Sequence, residues 1–307
     1  LSFHGVPRLL RQEVLMRVAW IGTGVMGRSM ALHLINAGHE LRIATRTRDR
    51  AADVLAAGAT WCDSPAEAAE SCDVAISMVG YPSDVDAVHR GDRGTLRASV
   101  RPRIIMDMTT STPTLARELA AHAGSLGVAS IDAPVSGGDV GARNAALSIM
   151  VGGSGSAIDA VRPLLASMGK TIVHHGGPGT GQHCKMVNQI LIASSMLGLC
   201  EALAYAQGSG LDPSKVLESV GGGAAGSWSV NNLGPRILRG DFAPGFFVEH
   251  FCKDLRIALE EAQAMGLELE GLARAERLYA LLRDRGHGRL GTQALWHLFS
   301  ATAGSGA

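Results

Sequence analysis

The order of its apolar segments predicts a doubly wound α/β domain followed by an all-α domain. Three observations lead there. Short β-rich runs alternate with helical stretches through the first half of the 307 residues. A glycine-rich turn follows the first of these runs. Strand patterns then stop after the cluster His175-Gly176-Gly177-Pro178-Gly179-Thr180-Gly181. Alternating βα units build parallel sheets, and nearly continuous apolar strands suit a sheet covered by helices on both faces.

Taken in order, strands are expected at residues 17–21, 41–45, 73–79, 103–107, 128–132, 147–151 and 171–174. Helices are expected at 26–37, 48–57, 113–125 and 156–168, with Pro113 at a first helical position. A long helix over 181–207 is apolar on nearly all faces, which predicts burial. Asn188, Gln189, Ser194, Ser195 and Glu201 interrupt it, so it is not read as a membrane span. Further helices are expected at 213–220, 230–238, 248–265, 269–283 and 293–301. The expected organisation is an extension over 1–16, a nucleotide-binding domain over 17–178, and an all-α substrate and oligomerisation domain over 179–307. The extension carries Arg8 and Arg11 but no long apolar run, so no secretory signal is expected.

Composition narrows the classes. Lys+Arg and Asp+Glu are 28 each, which argues against nucleic-acid or anionic-membrane partners. With 46% apolar residues the chain can bury sizeable cores. The 39 glycines and 4% aromatics suit many tight strand-to-helix turns. Cysteine occurs at positions 62, 72, 184, 200 and 252, an odd number without a C-x-x-C pair. No disulfide framework or metal site is expected, and a reducing cytoplasm is. Lysine occurs only at Lys170, Lys185, Lys215 and Lys253, so a lysine inside a motif stands out.

Gly22-Thr23-Gly24-Val25-Met26-Gly27 fits G-x-G-x-x-G between a strand and a helix. That is the Rossmann-type arrangement: a tight turn, close backbone approach to a pyrophosphate, and a helix N-terminus aimed at its charge. The second strand ends in Thr45-Arg46-Thr47, where a site selecting NAD would carry Asp or Glu. An arginine with hydroxyls suits a 2′-phosphate, so NADP is expected over NAD. The plain alternative for Arg46 is a solvated surface residue.

Ser136-Gly137-Gly138 follows the strand 128–132, where free backbone amides and a hydroxyl could bind a carboxylate. A Gly-rich turn is the ordinary alternative. In the long helix Lys185 and Asn188 are three apart and share a face. A cation one turn from the positive helix end needs an anionic partner or a purpose; the alternative is a lysine reaching to solvent. Hydride transfer at a carbonyl needs a proton donor at the oxygen, and lysine can serve. Lys253 could approach the nicotinamide or a substrate carboxylate, or form a solvated pair with Asp254 on a helix start. Trp228, Phe246 and Phe247 read as core packing, with a substrate-pocket wall as the alternative.

Over residues 17–303 these segments resemble the β-hydroxyacid dehydrogenase family. That family includes 3-hydroxyisobutyrate dehydrogenases, tartronate-semialdehyde reductases and glyoxylate/succinic-semialdehyde reductases. The residues that carry the resemblance are Ile21 to Gly27, Asp132 to Gly138, Gly179-Thr180-Gly181 through Lys185 to Asn188, and Lys253-Asp254-Leu255. It implies Lys185 as catalytic acid/base assisted by Asn188, and Ser136, Gly137 and Gly138 as the carboxylate site. Lys253 would lie at the nicotinamide–substrate junction. Met78-Val79 and the hydroxyls of Thr109 and Thr110 would contact the cofactor. Two departures stand out: Val79-Gly80 where the family usually has Leu-Pro, and Ala145 in place of a usual glycine.

The expected activity is reversible hydride transfer between NADP(H) and a small 3-hydroxy acid or its semialdehyde. One rival is imine reduction on the same scaffold, whose members commonly carry Asp or Tyr at the lysine position. A non-catalytic NADP-binding module is the other. The excess apolar surface of the second half suggests a homodimer or homotetramer.

Overall fold

The computed structural model describes residues 15–303, so residues 1–14 of the expected extension lie outside the described part. Among the described residues nine strands form one sheet: β1 Arg17–Ile21, β2 Glu40–Ala44, β3 Thr60–Trp61, β4 Val74–Ser77, β5 Ile104–Asp107, β6 Ala129–Asp132, β7 Val135–Ser136, β8 Leu147–Gly152 and β9 Gly169–Gly176. Their order is β3-β2-β1-β4-β5-β6-β8-β7, with β9 also on β8. The reversal of strand order at β1 makes a crevice at the strand ends, where open α/β sheets bind ligands.

The helices interleaved with the sheet are α1 Val25–Asn36, α2 Ala52–Ala56, α3 Pro65–Ala69, α4 Pro82–Arg90, α5 Pro113–Ser125, α6 Gly138–Arg143 and α7 Gly155–Met168. The helical half comprises α8 Thr180–Gly208, α9 Pro213–Gly221, α10 Gly234–Leu238, α11 Val248–Ala264, α12 Glu270–Leu282 and α13 His297–Ala303. Thr112 caps α5 by accepting from Leu115 N–H, with Pro113 in the first turn as expected.

Side-chain alternation explains the two layers of helices. Val18 and Trp20 of β1 enter one core with Met30, Leu34, Ile76 and Met106. Their neighbours Ala19 and Ile21 enter another with Ala68, Ala75 and Ile105 on the opposite face. A strand buried on both faces cannot show polar alternation, which is why these strands read as solid apolar runs. A third core fills the helical half, around Met196, Cys200, Phe251, Leu255 and Tyr279.

The structure departs from expectation in identifiable places. The sheet is mixed: β8 runs antiparallel to β6 and β7 and parallel to β9. The short β3, α3, β7 and α6 carry too few residues for a periodic signal, and α4, Pro82–Arg90, was not expected either. Residues 229–233 form a π-helical turn and 292–296 a 3-10 turn inside segments read as single helices. The long helix is not buried all round: Val187, Leu191 and Tyr205 are exposed while Ala193, Met196, Leu199 and Leu203 are in the core. By length and hydropathy alone α8 would suffice to cross a membrane, although the polar residues that interrupt it led to its not being read as a span.

Candidate active site

The glycine turn is dictated by contact. Gly22 has φ +102°, and a Cβ there would lie 2.3 Å from the Met78 carbonyl oxygen. A Cβ on Gly27 would lie 2.2 Å from the Gly22 carbonyl oxygen. Trp20 Nε1 donates to that same Gly22 carbonyl at 2.8 Å, fixing the turn from below. Gly24 caps α1 without a side-chain bond, and the first turn holds no acid. The free amides there remain available to an anion. Thr23 is buried, yet its Oγ1 has no hydrogen-bond partner. These features fit a dinucleotide pyrophosphate, with Gly22, Thr23, Gly24, Val25, Met26 and Gly27 as its cradle.

The neighbouring loops close on this turn. Gly22 N–H donates to Ala44 O at the end of β2, so Thr45, Arg46 and Thr47 leave the sheet beside the cradle. Arg46 is 86% exposed and holds Asp84 only at 3.4 Å, leaving its guanidinium open to solvent. Met78 N–H bonds Ile21 O, and Val79 N–H donates to Thr109 Oγ1 at 2.9 Å. A buried polar chain supports that contact. Asp107 Oδ1 accepts from Thr109 N–H at 3.1 Å and from Ser77 Oγ at 2.7 Å. His89 bridges Ser77 and Thr95, and its burial pushes its pKa down to about 4, so it stands neutral. Burial likewise raises the Asp107 carboxyl to about 6.

The departure at Gly80 places its backbone beside His250, whose Cε1 would be 3.7 Å from a Cβ. Ala145 takes φ +48°, a left-handed conformation that glycine adopts without strain.

Lys185 is brought to the same crevice by α8. Gly179 opens the helix at φ +89°, and Gly181 packs so closely that a Cβ would sit 2.4 Å from Met150 O. The Asp132 carboxylate, buried at the end of β6, accepts from Gly179 N–H at 2.8 Å and Gln182 N–H at 2.9 Å. It thereby occupies the positive helix end that was expected to disfavour a lysine. Lys185 does not reach to solvent: it is 6% exposed, and its Nζ donates to Val135 O at 2.8 Å. Val135 precedes Ser136, so the ammonium stands beside the serine–glycine loop. Gly137 and Gly138 both have positive φ there, at 130° and 62°. Burial, seconded by the Lys253 charge, pulls the Lys185 pKa down to about 8 against the opposing pull of Asp254.

Lys253 sits in the second turn of α11, not on a solvated helix start. Its Nζ donates to Thr110 O at 2.6 Å and lies 3.1 Å from the fully buried Asp254 carboxylate. Asp254 in turn accepts from Gln189 Nε2 at 2.6 Å, and Gln189 Oε1 accepts from Asn188 Nδ2 at 2.7 Å. Asn188 thus turns toward Gln189 and the buried carboxylate.

Asp254, Gln189, Gln182 and Asp132 were given no role in the sequence reading. A signal for three of them was present. Asp254 occupies the core stripe Phe251, Leu255, Ala258 and Ala262, while Gln182 and Gln189 share the buried face of α8 with Lys185. Polar side chains at core positions require partners. Trp228 was read as core packing, but it is 66% exposed. Phe246 is half-buried against the helical core and stacks near His250.

A Rossmann-type cradle facing a buried ammonium is the architecture of a nicotinamide-dependent oxidoreductase. Residues 17–177 match the family described as the NAD binding domain of 6-phosphogluconate dehydrogenase. Residues 179–299 match the family described as NAD-binding of NADP-dependent 3-hydroxyisobutyrate dehydrogenase. The chain is 50% identical over 280 residues to a probable 3-hydroxyisobutyrate dehydrogenase-like mitochondrial protein of Arabidopsis thaliana, covering 91% of this chain and 84% of the relative. It is 36% identical over 280 residues to the 2-hydroxy-3-oxopropionate reductase of Escherichia coli, covering 91% and 96%. The solved 3-hydroxyisobutyrate dehydrogenase of Mycobacterium tuberculosis, a structure with L-serine, superimposes with a TM-score of 0.85 at 31% identity over 92% of this chain and 99% of that one. The chain belongs to the β-hydroxyacid dehydrogenase family, and it is an NAD(P)-dependent hydroxyacid dehydrogenase.

Proposed function

We propose that the protein interconverts a small 3-hydroxy acid and its semialdehyde with NADP(H), using Lys185 as general acid and base. The observation that carries this reading is the buried Lys185 ammonium beside Val135 and the Ser136-Gly137-Gly138 loop. The dinucleotide, when bound, supplies or takes up the hydride. Protonated Lys185 gives its proton to the forming alkoxide in reduction, and neutral Lys185 takes the hydroxyl proton in oxidation. Ser136, Gly137 and Gly138 bind the carboxylate, and Asn188 helps hold the substrate. Lys253, together with Met78, Val79, Thr109 and Thr110, contacts the cofactor. The names of the relatives support a small substrate of this kind: L-serine carries a hydroxyl at C3, and 2-hydroxy-3-oxopropionate an aldehyde there. Absorbance of NADPH with a panel of C3–C4 semialdehydes and glyoxylate tests the reading. Cofactor binding without turnover across the panel would instead indicate the non-catalytic module.

Because the Lys185 pKa lies near 8, the two directions should respond oppositely to pH. The rate of oxidation is expected to rise as pH passes through about 8 and level off above it. Reduction is expected to fall over the same interval. Profiles of kcat/KM in both directions check this; flat profiles with chemistry rate-limiting would remove Lys185 as the proton carrier.

The open Arg46 guanidinium supports NADP over NAD. A carboxylate there would repel the 2′-phosphate, so Arg46→Asp is expected to weaken NADPH by about tenfold or more and spare NADH. The ratio of kcat/KM for the two cofactors, unchanged by the substitution, would speak against this assignment.

The apolar stripe on the outer face of α8, with Val187, Leu191 and Tyr205 exposed, supports a homodimer or homotetramer. Sedimentation is expected to show a species of at least twice the 31.9 kDa chain mass; a clean monomer rejects it. Among the described residues the cysteines form no disulfide.

A further inference from the structure

We propose that Gln182 is a positioning residue that sets the gap between the cofactor-facing segment 109–111 and Lys185. The inference rests on the reading of Lys185 as the proton carrier. Gln182 is fully buried, one turn before Lys185 on the same face of α8. Its side-chain amide makes two bonds of opposite sense to one short segment. Nε2 donates to Thr109 O at 2.8 Å, and Oε1 accepts from Ser111 N–H at 3.0 Å.

At neutral pH neither of the side chains closest to it in length and shape, methionine and glutamate, supplies both a donor and an acceptor in that pairing. Methionine supplies neither, and an ionised glutamate keeps only the acceptor. The backbone amide of the same residue is anchored on Asp132 at 2.9 Å. Gln182 therefore joins the end of β6, the helix start and the segment 109–111 at one point.

The rest of that segment is held from other directions. Thr109 Oγ1 accepts from Val79 N–H, and Thr110 O accepts from Lys253 Nζ. The contacts from Val79 and Lys253 come from the loop after β4 and from α11. Among the described residues, only the Gln182 side-chain bonds run from this segment to the helix that carries Lys185. A shift of this clamp moves the segment relative to the ammonium, and displacements of about 1 Å far from the reacting atoms can cost about a hundredfold in rate.

The experiment compares the full chain with Gln182→Met and Gln182→Glu. It reads NADPH dissociation by fluorescence, kcat, and the isotope effect with NADPH deuterated at the transferred position. For Gln182→Met, kcat is expected to fall by about 10–100-fold, with a larger isotope effect as hydride transfer becomes more limiting. NADPH should dissociate more readily by up to about tenfold, because Thr109 O and Ser111 N–H lose their partners. Gln182→Glu should show losses in the same direction that lessen on acidification, as the protonated carboxyl regains a donor toward Thr109 O. If Gln182→Met does not fold, the glutamate variant and its pH response decide.

The proposal is overturned if a folded variant has lowered thermal stability but parental kcat, isotope effect and NADPH affinity. It is also overturned if the glutamate variant shows losses that do not respond to pH. A parent chain without turnover on any substrate would defeat the Lys185 reading separately. The NADPH affinities would then still judge whether Gln182 positions the segment.

Discussion

Lys185→Ala is expected to lower kcat by about 10²–10⁴-fold, the range associated with losing a positioned proton donor. NADPH affinity should change little, because the glycine cradle and Arg46 lie on other elements. The pH inflection near 8 should vanish along with the rate, since the group that titrates there is gone. Rate measurements across pH, with NADPH dissociation measured separately, provide the check. Lys185→Arg sharpens the result: arginine retains a cation but cannot lose its proton, so oxidation should not recover. An alanine variant that kept near-parental turnover and the parental pH profile would end the account of Lys185 as the proton carrier.

Removing the buried carboxylate is expected to have the largest effect on stability. Asp254 is fully buried between Lys253 and Gln189 and lends negative potential to Lys185. Asp254→Ala leaves the Lys253 ammonium without its anion and Gln189 without its acceptor. Breaking a buried pair from one side costs about 3–5 kcal/mol, read here as a lower midpoint in denaturant unfolding. It should also move the activity inflection to lower pH, because the attraction that most stabilises charged Lys185 would be lost. Asp254→Asn separates the two effects. An amide oxygen still accepts from Gln189, so the loss of stability should be smaller while the acid shift of the inflection remains. An inflection that stays near the parental pH in the asparagine variant would show that Asp254 does not tune Lys185.

Much of the fold was legible because its signals are local. Strand β1 and the turn Gly22 to Gly27 were readable as a unit, since a left-handed residue and two close backbone approaches admit only glycine. Lys185 and Asn188 stood out by helical spacing, and Lys253 by the scarcity of lysine. The partners of these residues were much harder to see. Gln182 lies 73 residues from Thr109, Gln189 lies 65 from Asp254, and Lys253 lies 143 from Thr110. No local period connects such positions, so their pairing appears only when the sheet and helices pack.

The amino-acid order by itself therefore determined the succession of βα units, the phosphate turn, the change to helices near Gly179 and the choice of Lys185 as the lysine proposed to carry the proton. These depend on steric and periodic rules that act within one or two turns of chain. Tertiary structure alone decided that Lys185 is dry, that Asp254 stands near it, and that Asp132 occupies the start of its helix. It likewise decided that β8 runs against β6 and that one face of α8 stays uncovered. Burial and charge proximity are sums over residues distant in sequence. They come into being only when the chain has folded, and they bring the Lys185 proton within reach of neutral pH.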